Sequence, residues 1–150
     1  AMSFRYDQID GDMAFGELGI EGDTGDVDVA IISYGNGAYL SRQALARLRE
    51  SGGRYRLIDL RWLAPMDIPR LLDALEGAGS CLIVDECRRS GSPSEGLMAG
   101  LLEQGFSKRL RRLTAEDSFI PLGPASYTVL PSVTTIVDAA HDLLEATDDA

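Results

Sequence analysis

From Val27 to Ser33 the chain reads Val-Asp-Val-Ala-Ile-Ile-Ser, which begins as an alternation and ends as a run apolar on both faces. A β-branched run of that kind predicts a strand buried between two layers, as in a parallel sheet. The period then changes. Gly35-Asn36-Gly37 interrupts the run, and from Tyr39 to Glu50 the residues Leu40, Ala44, Leu45 and Leu48 share one helical stripe, which Ser51-Gly52-Gly53 closes. Arg56 to Leu60 predicts a second short strand, after which Pro65 and Asp67 introduce a helix with Ile68, Leu71, Leu72 and Leu75 inward. Cys81 to Asp85 predicts a third strand. In Ser92-Pro93-Ser94-Glu95 a hydroxyl stands at the cap, a proline at the first helical position and a carboxylate three residues on. A capping box is therefore expected to open a helix whose apolar side is Leu97, Leu101 and Leu102, with Gly96 and Gly100 marking close packing against a neighbour. Leu110 to Leu113 predicts a fourth strand, and Ser132 or Thr134 caps a last helix that buries Ile136, Val137, Ala140, Leu143 and Leu144. Leu18 to Ile20 adds a short edge strand.

Strand and helix alternate at intervals of roughly 25 residues, the rhythm of βαβ units on a parallel sheet with right-handed crossovers. The expected fold is α/β, a three-layer αβα sandwich with a mostly parallel sheet. At 150 residues and 45% apolar, one domain with an ordinary core accounts for the chain. Its expected limits are residues 17–146, with residues 1–16 as an N-terminal extension and 147–150 as an acidic tail.

The formal net charge of -10 is uneven: residues 1–30 hold eight acids and one base, and residues 138–150 hold five acids and no base. Acidic ends on a nearly balanced body argue against nucleic acid, whose phosphates require clustered cations. They suit solubility or a basic protein partner. No run approaches the roughly 20 apolar residues of a membrane span, and the N-terminus lacks a basic stretch followed by an apolar one. A cytoplasmic protein is expected. Cys81 and Cys87 make no disulfide framework, and with a single distant His141 they match no zinc pattern, so no metal site is expected.

In open α/β sheets, ligands sit outside the carboxyl ends of the strands, which directs attention to four loops. Gly35-Asn36-Gly37-Ala38-Tyr39-Leu40 carries two glycines of the dinucleotide fingerprint, with Asp59 about where a ribose-binding acid would stand, but Leu40 replaces the third glycine. A tight strand-to-helix turn is the simpler account. In Asp85-Glu86-Cys87-Arg88-Arg89 two carboxylates, a thiol and two guanidinium groups meet at one strand end. Arg88 and Arg89 form a candidate anion site, with internal ion pairing to the neighbouring acids as the competing account. Arg88 would lower the pKa of the Cys87 thiol, yet no histidine lies nearby in sequence to act as its base. His141 falls on the surface or boundary of the last helix, and no catalytic triad assembles around it. No catalytic residue is assigned.

Glu116 to Pro124, with two prolines and a glycine, predicts a shaped loop rather than regular structure. Phe119, Ile120 and Leu122 are too apolar to leave fully exposed in a finished protein. They are expected either in an interface, with Glu116 and Asp117 as its polar rim, or buried inside this domain.

Taken in order, Asp28-Val29-Ala30-Ile31-Ile32-Ser33-Tyr34-Gly35, Ile58-Asp59-Leu60-Arg61 with Pro65, Val84-Asp85-Glu86 followed by Arg89-Ser90-Gly91, and the Pro121-containing loop with a later Pro131 carry a family resemblance. From about Glu17 to Leu144 the chain resembles the C-terminal transketolase-like domain of the β subunit, or β half, of thiamine-diphosphate-dependent 2-oxo acid dehydrogenases (E1). The resemblance implies an enzyme that decarboxylates a 2-oxo acid on thiamine diphosphate and passes the acyl group to the lipoyl acyltransferase, E2. It also implies that the cofactor and its magnesium are held by domains absent from this chain, and that this fragment binds neither and is inactive alone. The C-terminal domain in such enzymes contributes subunit contacts, in dimers or heterotetramers, and helps to present the E2 docking surface. One departure concerns that docking: where relatives often place an acid before the fourth strand, this chain has Ser107-Lys108-Arg109. A transketolase or deoxyxylulose-phosphate synthase relative, and a free-standing nucleotide- or anion-binding module, are the alternatives.

Overall fold

The computed structural model describes residues 14–145. Most of the expected N-terminal extension and all of the expected acidic tail lie outside the described residues. Strands β1 (Gly19–Gly22), β2 (Val27–Ser33), β3 (Tyr55–Asp59), β4 (Ala78–Arg88) and β5 (Arg109–Ala115) alternate with helices α1 (Gly35–Glu50), α2 (Ile68–Ala74), α3 (Pro93–Glu103) and α4 (Val133–Glu145). A 3-10 helix, Gly123–Thr128, precedes α4, so the proline-rich loop ends in a helical turn instead of remaining irregular throughout. The sheet order is β1-β3-β2-β4-β5, with β1 antiparallel to β3 and every other pairing parallel.

The period-2 reading of β2 explains the layers. Ala30 and Ile32 face a core shared with Ile68, Leu71 and Leu75 around α2 and with Leu97 and Leu101 of α3. Val29 and Ile31 face the other core, with Ala44, Leu45 and Leu48 of α1 and Ile136, Ala139, Ala140 and Leu143 of α4. Helices on both faces of a buried sheet make the three-layer sandwich that the pattern predicted.

Several boundaries differ from expectation. Helix α1 begins at Gly35, because Gly35-Asn36-Gly37 forms its first turn rather than a loop before it. Gly35 takes φ 54°, and a Cβ on Gly37 would lie 2.6 Å from the Ser33 hydroxyl, so the two glycines let α1 start directly against the end of β2. Strand β4 runs three residues past Asp85, because β5 continues beside it and a bulge between Asp85 and Arg88 keeps the pairing. Ser92 is the N-cap of α3 but makes no side-chain cap bond. Its hydroxyl pairs with Ser94 Oγ, and Glu95 reaches back to Gly91 N at 2.9 Å, one residue beyond the capping-box position. For α4 the cap is Ser132, whose hydroxyl accepts from Thr135 N. Leu102, expected inward, is 53% exposed, and Val137 and Leu144 are only partly buried.

The two glycines of α3 separate cleanly. A Cβ on Gly100 would stand 2.9 Å from Ile68 Cγ1, whereas one on Gly96 would meet nothing within 4 Å. Gly96→Ala is expected to stabilise by about 0.5–1 kcal/mol through helix propensity. Gly100→Ala is expected to destabilise by about 1–2 kcal/mol by forcing α2 and α3 apart. Urea denaturation of the two variants checks the opposite signs.

Candidate functional site

The parallel strands deliver their loops to one end of the sheet, and antiparallel β1 starts there too, since Gly19 pairs with Asp59. At this carboxyl edge the structure gathers the segments that the sequence singled out. The centre is Asp85, at 1% exposure. Its carboxylate accepts from the Tyr34 hydroxyl at 2.5 Å, from Cys87 N at 2.8 Å and from Ser94 N at 3.3 Å, joining the ends of β2 and β4 to the start of α3. Burial pushes the Asp85 carboxyl upward, but these hydrogen bonds outweigh it and hold the pKa below the ordinary range. Burial, followed by the bond to Asp85, raises that of the Tyr34 phenol. Neither group is poised to exchange a proton near neutral pH.

The Cys87 thiol departs from expectation. Burial pushes its pKa up, the Tyr34 hydroxyl at 3.6 Å opposes this, and the Asp85 and Glu86 charges add to the rise. Adjacency in sequence to Arg88 does not bring the guanidinium to the sulfur; Arg88 Nε donates instead to Ser90 O at 3.0 Å.

Donors of the β4–α3 loop are taken up by carboxylates of this chain. Ser90 N and Ser90 Oγ donate to Asp117 at 2.8 and 2.6 Å, Gly91 N to Glu95, and Ser94 N to Asp85. The two Ser90 bonds, with help from the nearby Arg88 and Arg89 charges, hold the Asp117 carboxyl below its usual pKa. An external anion here would meet only guanidinium side chains, and those diverge. Arg88 borders a depression of about 560 Å³ with Ser90, Asp117 and Phe119, while Arg89 borders a groove beside β5. Thiamine diphosphate and magnesium do not fit these residues. The loop amides are engaged, and among the described residues no group of three or more His, Cys, Asp or Glu is arranged to hold a metal ion.

Apolar exposure, by contrast, concentrates at this edge. Phe119 is 100% exposed, Leu122 96% and Ile120 49%, so the fold does not take up the burial-within-domain alternative for them. Glu116 N donates to Val129 O and Asp117 latches Ser90, which together anchor the base of the loop that carries these side chains. Phe15, Trp62, Leu63 and Tyr127 are also exposed, on segments reaching the same end of the sheet. Phe15 and Trp62 pack as a tilted pair, with ring centroids 4.7 Å and planes 57° apart. No chemical motif marks this second cluster in the sequence; its one signal is the single tryptophan, Trp62, which lies between Arg61 and Pro65.

The chain matches the family model for the transketolase C-terminal domain over residues 20–136. It is 28% identical over 121 residues to the pyruvate dehydrogenase E1 component subunit beta of Staphylococcus aureus, and 30% identical over the same length to that of Staphylococcus epidermidis. Each match covers 79% of this chain and 37% of the relative, so the chain spans little more than a third of the length of these proteins. Among solved structures it resembles a split gene transketolase in an inactive beta4 tetramer, with a TM-score of 0.75 at 19% identity over 91% of this chain and 44% of that one. It also resembles the 2-oxoglutarate:ferredoxin oxidoreductase of Magnetococcus marinus, with a TM-score of 0.67 at 18% identity over 87% of this chain and 20% of that one. The sheet order and, above all, the family match over residues 20–136 lead to one conclusion: the chain belongs to the transketolase C-terminal domain family.

Proposed function

We propose that this chain is the assembly domain of a thiamine-diphosphate-dependent 2-oxo acid dehydrogenase E1, acting through subunit contacts rather than through catalytic groups. The observation that carries the reading is the carboxyl edge of the sheet. The Ser90, Gly91 and Ser94 amides of its β4–α3 loop are bonded to carboxylates of this chain, while Phe119, Ile120 and Leu122 stand in solvent with Glu116 and Asp117 beside them. A site built to hold a small ligand leaves polar groups unpaired; a contact surface presents apolar anchors with a polar rim. The relatives' additional length supplies the occupant, namely the remaining domains or subunits of the enzyme, which on this reading hold the cofactor and its magnesium. Docking of the E2 acyltransferase belongs to the same assembly, and its setting is the cytoplasm.

Phe119→Asp and Leu122→Asp test the reading. Both side chains are almost wholly exposed, so stability of the 150-residue chain is expected to change by no more than about 0.5 kcal/mol. In the full-length parent the same changes are expected to weaken subunit association by tenfold or more, as removal of buried apolar anchors does. Sedimentation velocity of the parent and urea denaturation of the chain measure the two effects. Unfolding of the chain, or an unaltered parent assembly, would overturn the proposal, as would stoichiometric, magnesium-dependent binding of thiamine diphosphate to this chain in calorimetry. Decarboxylation of 2-oxo acids by the full-length enzyme is expected; ketol transfer in its place would assign the domain to a transketolase.

A further inference from the structure

Strand β5 is an edge strand. It pairs with β4 on one side, and among the described residues no main-chain group bonds to Arg109–Ala115 on the other. In a parallel ladder alternate residues turn their N–H and C=O away from the neighbouring strand, so the open side of β5 carries a row of unpaired donors and acceptors. A groove of about 610 Å³ runs along it, lined by Leu110 to Glu116 together with Arg89 and Met98.

The charge of this edge is opposite to that of the chain. Six of the 14 basic residues fall between Arg88 and Arg112, and Lys108, Arg109, Arg111 and Arg112 lie on or beside β5. Charged side chains are an ordinary protection for a sheet edge, and they protect by making approach of another strand unfavourable. Here the guanidinium groups are tethered to the two flanking helices. Arg109 donates to Leu143 O and Arg111 to Asp142 of α4, while Arg112 donates to Ser94 Oγ and lies 3.7 Å from Glu95 of α3. Period-2 alternation thus places arginines along both walls of the groove, and from Arg109 to Thr114 the strand is half-buried or exposed, with Ala115 buried at its end. Leu113 packs towards the α1 and α4 core and Leu110 towards the α2 and α3 core, so each wall also offers an apolar contact.

We infer that the β5 edge accepts an extended acidic segment of a partner protein, which adds to the sheet as a sixth strand. Main-chain hydrogen bonds would supply affinity, and alternate carboxylates facing the arginine walls would supply selectivity. A second copy of this chain is a poor occupant, because two basic edges would face each other. The site is separate from the exposed apolar loop and does not depend on the enzyme assignment.

The test uses the 150-residue chain and a blocked hexapeptide that alternates glutamate with valine, followed by NMR and amide hydrogen exchange. Alternate amides within Arg109–Ala115 are expected to gain protection, and a lysine–valine peptide is expected not to bind. N-methylating the peptide along the bonding edge should abolish protection, a control that leaves the protein unchanged. The double variant Arg111→Glu, Arg112→Glu should weaken binding by about tenfold or more through loss of the opposite-charge contacts. Shifts confined to arginine side chains without amide protection, equal binding of the lysine peptide, no detectable binding, or dimerisation through β5 in the absence of peptide would each overturn the inference.

Discussion

Arg56→Ala is expected to destabilise the chain by about 4 kcal/mol, among the largest effects of any single change, because it removes a buried cation that bonds only to main-chain oxygens. Arg56 is 8% exposed. Its guanidinium donates to Gly25 O at 2.5 Å, Ala74 O at 2.8 Å and Glu76 O at 3.0 Å, with a longer contact to Asp23 O. Ala74 and Glu76 stand at the end of α2, where carbonyls lack helical partners and a cation is favoured. Gly25 and Asp23 belong to the turn between β1 and β2. One side chain therefore ties three segments together, and without it several buried acceptors lose their donors at once. Arg56→Lys keeps the charge but not the planar fork, so its loss should be intermediate. Urea midpoints at constant m-value would show the order wild type, lysine, alanine. A loss below 1 kcal/mol for alanine would mean that water satisfies those carbonyls equally well.

Asp85→Asn is the second large effect, expected at about 3 kcal/mol. The amide would set an N–H donor against some of the donors that now converge on the carboxylate from Tyr34, Cys87 and Ser94. The pH dependence gives an independent readout with a definite sign. Because the folded pKa of Asp85 is depressed, its contribution is present above the unfolded value of about 3.9 and is lost as pH falls through the lower folded value. Tyr34 works at the other end. Its raised pKa means that the neutral phenol is favoured in the fold, so this stability is present below an unfolded pKa of about 10 and declines as pH rises above it. Asp85→Asn should flatten the acid limb of a stability profile and Tyr34→Phe the alkaline limb. An unchanged acid limb in the asparagine variant would show that other carboxylates dominate acid unfolding.

Much of the fold was legible in hydrophobic period alone. The both-faces-apolar run at β2, the short strands at β3 and β5, and the stripes of α1, α2 and α4 are local patterns, and local patterns report which element can bury its apolar side. The misplaced boundaries lie where a distant partner overrides the local signal. Glu86 to Arg88 read as a charged loop, but β5 beside β4 lets the ladder continue. Leu102 read as part of the apolar side of α3 with Leu97 and Leu101, but the helix turns it to solvent while Gly100 takes the position against Ile68.

The candidate site divides in the same way. Family motifs and the apolar residues of the 116–124 loop were visible in order along the chain. Their exposure was not, because whether Phe119 is buried depends on what surrounds it. Nor could sequence spacing show that Asp85 takes its partner from Tyr34, 51 residues away, rather than from Arg88 or Arg89, or that Arg88 Nε donates to Ser90 O. Hydrogen bonds and pKa shifts depend on distances of a few ångströms, which neighbours in sequence share only when the backbone turns their side chains together. Sequence by itself determined the period, the order of strands and helices and the family. Only the tertiary structure decided that the arginines of β5 are held against two different helices and that the β4–α3 loop is filled by Asp117, Glu95 and Asp85. Charge pairing acts across space, and residues distant along the chain reach one another only once the sheet has ordered them.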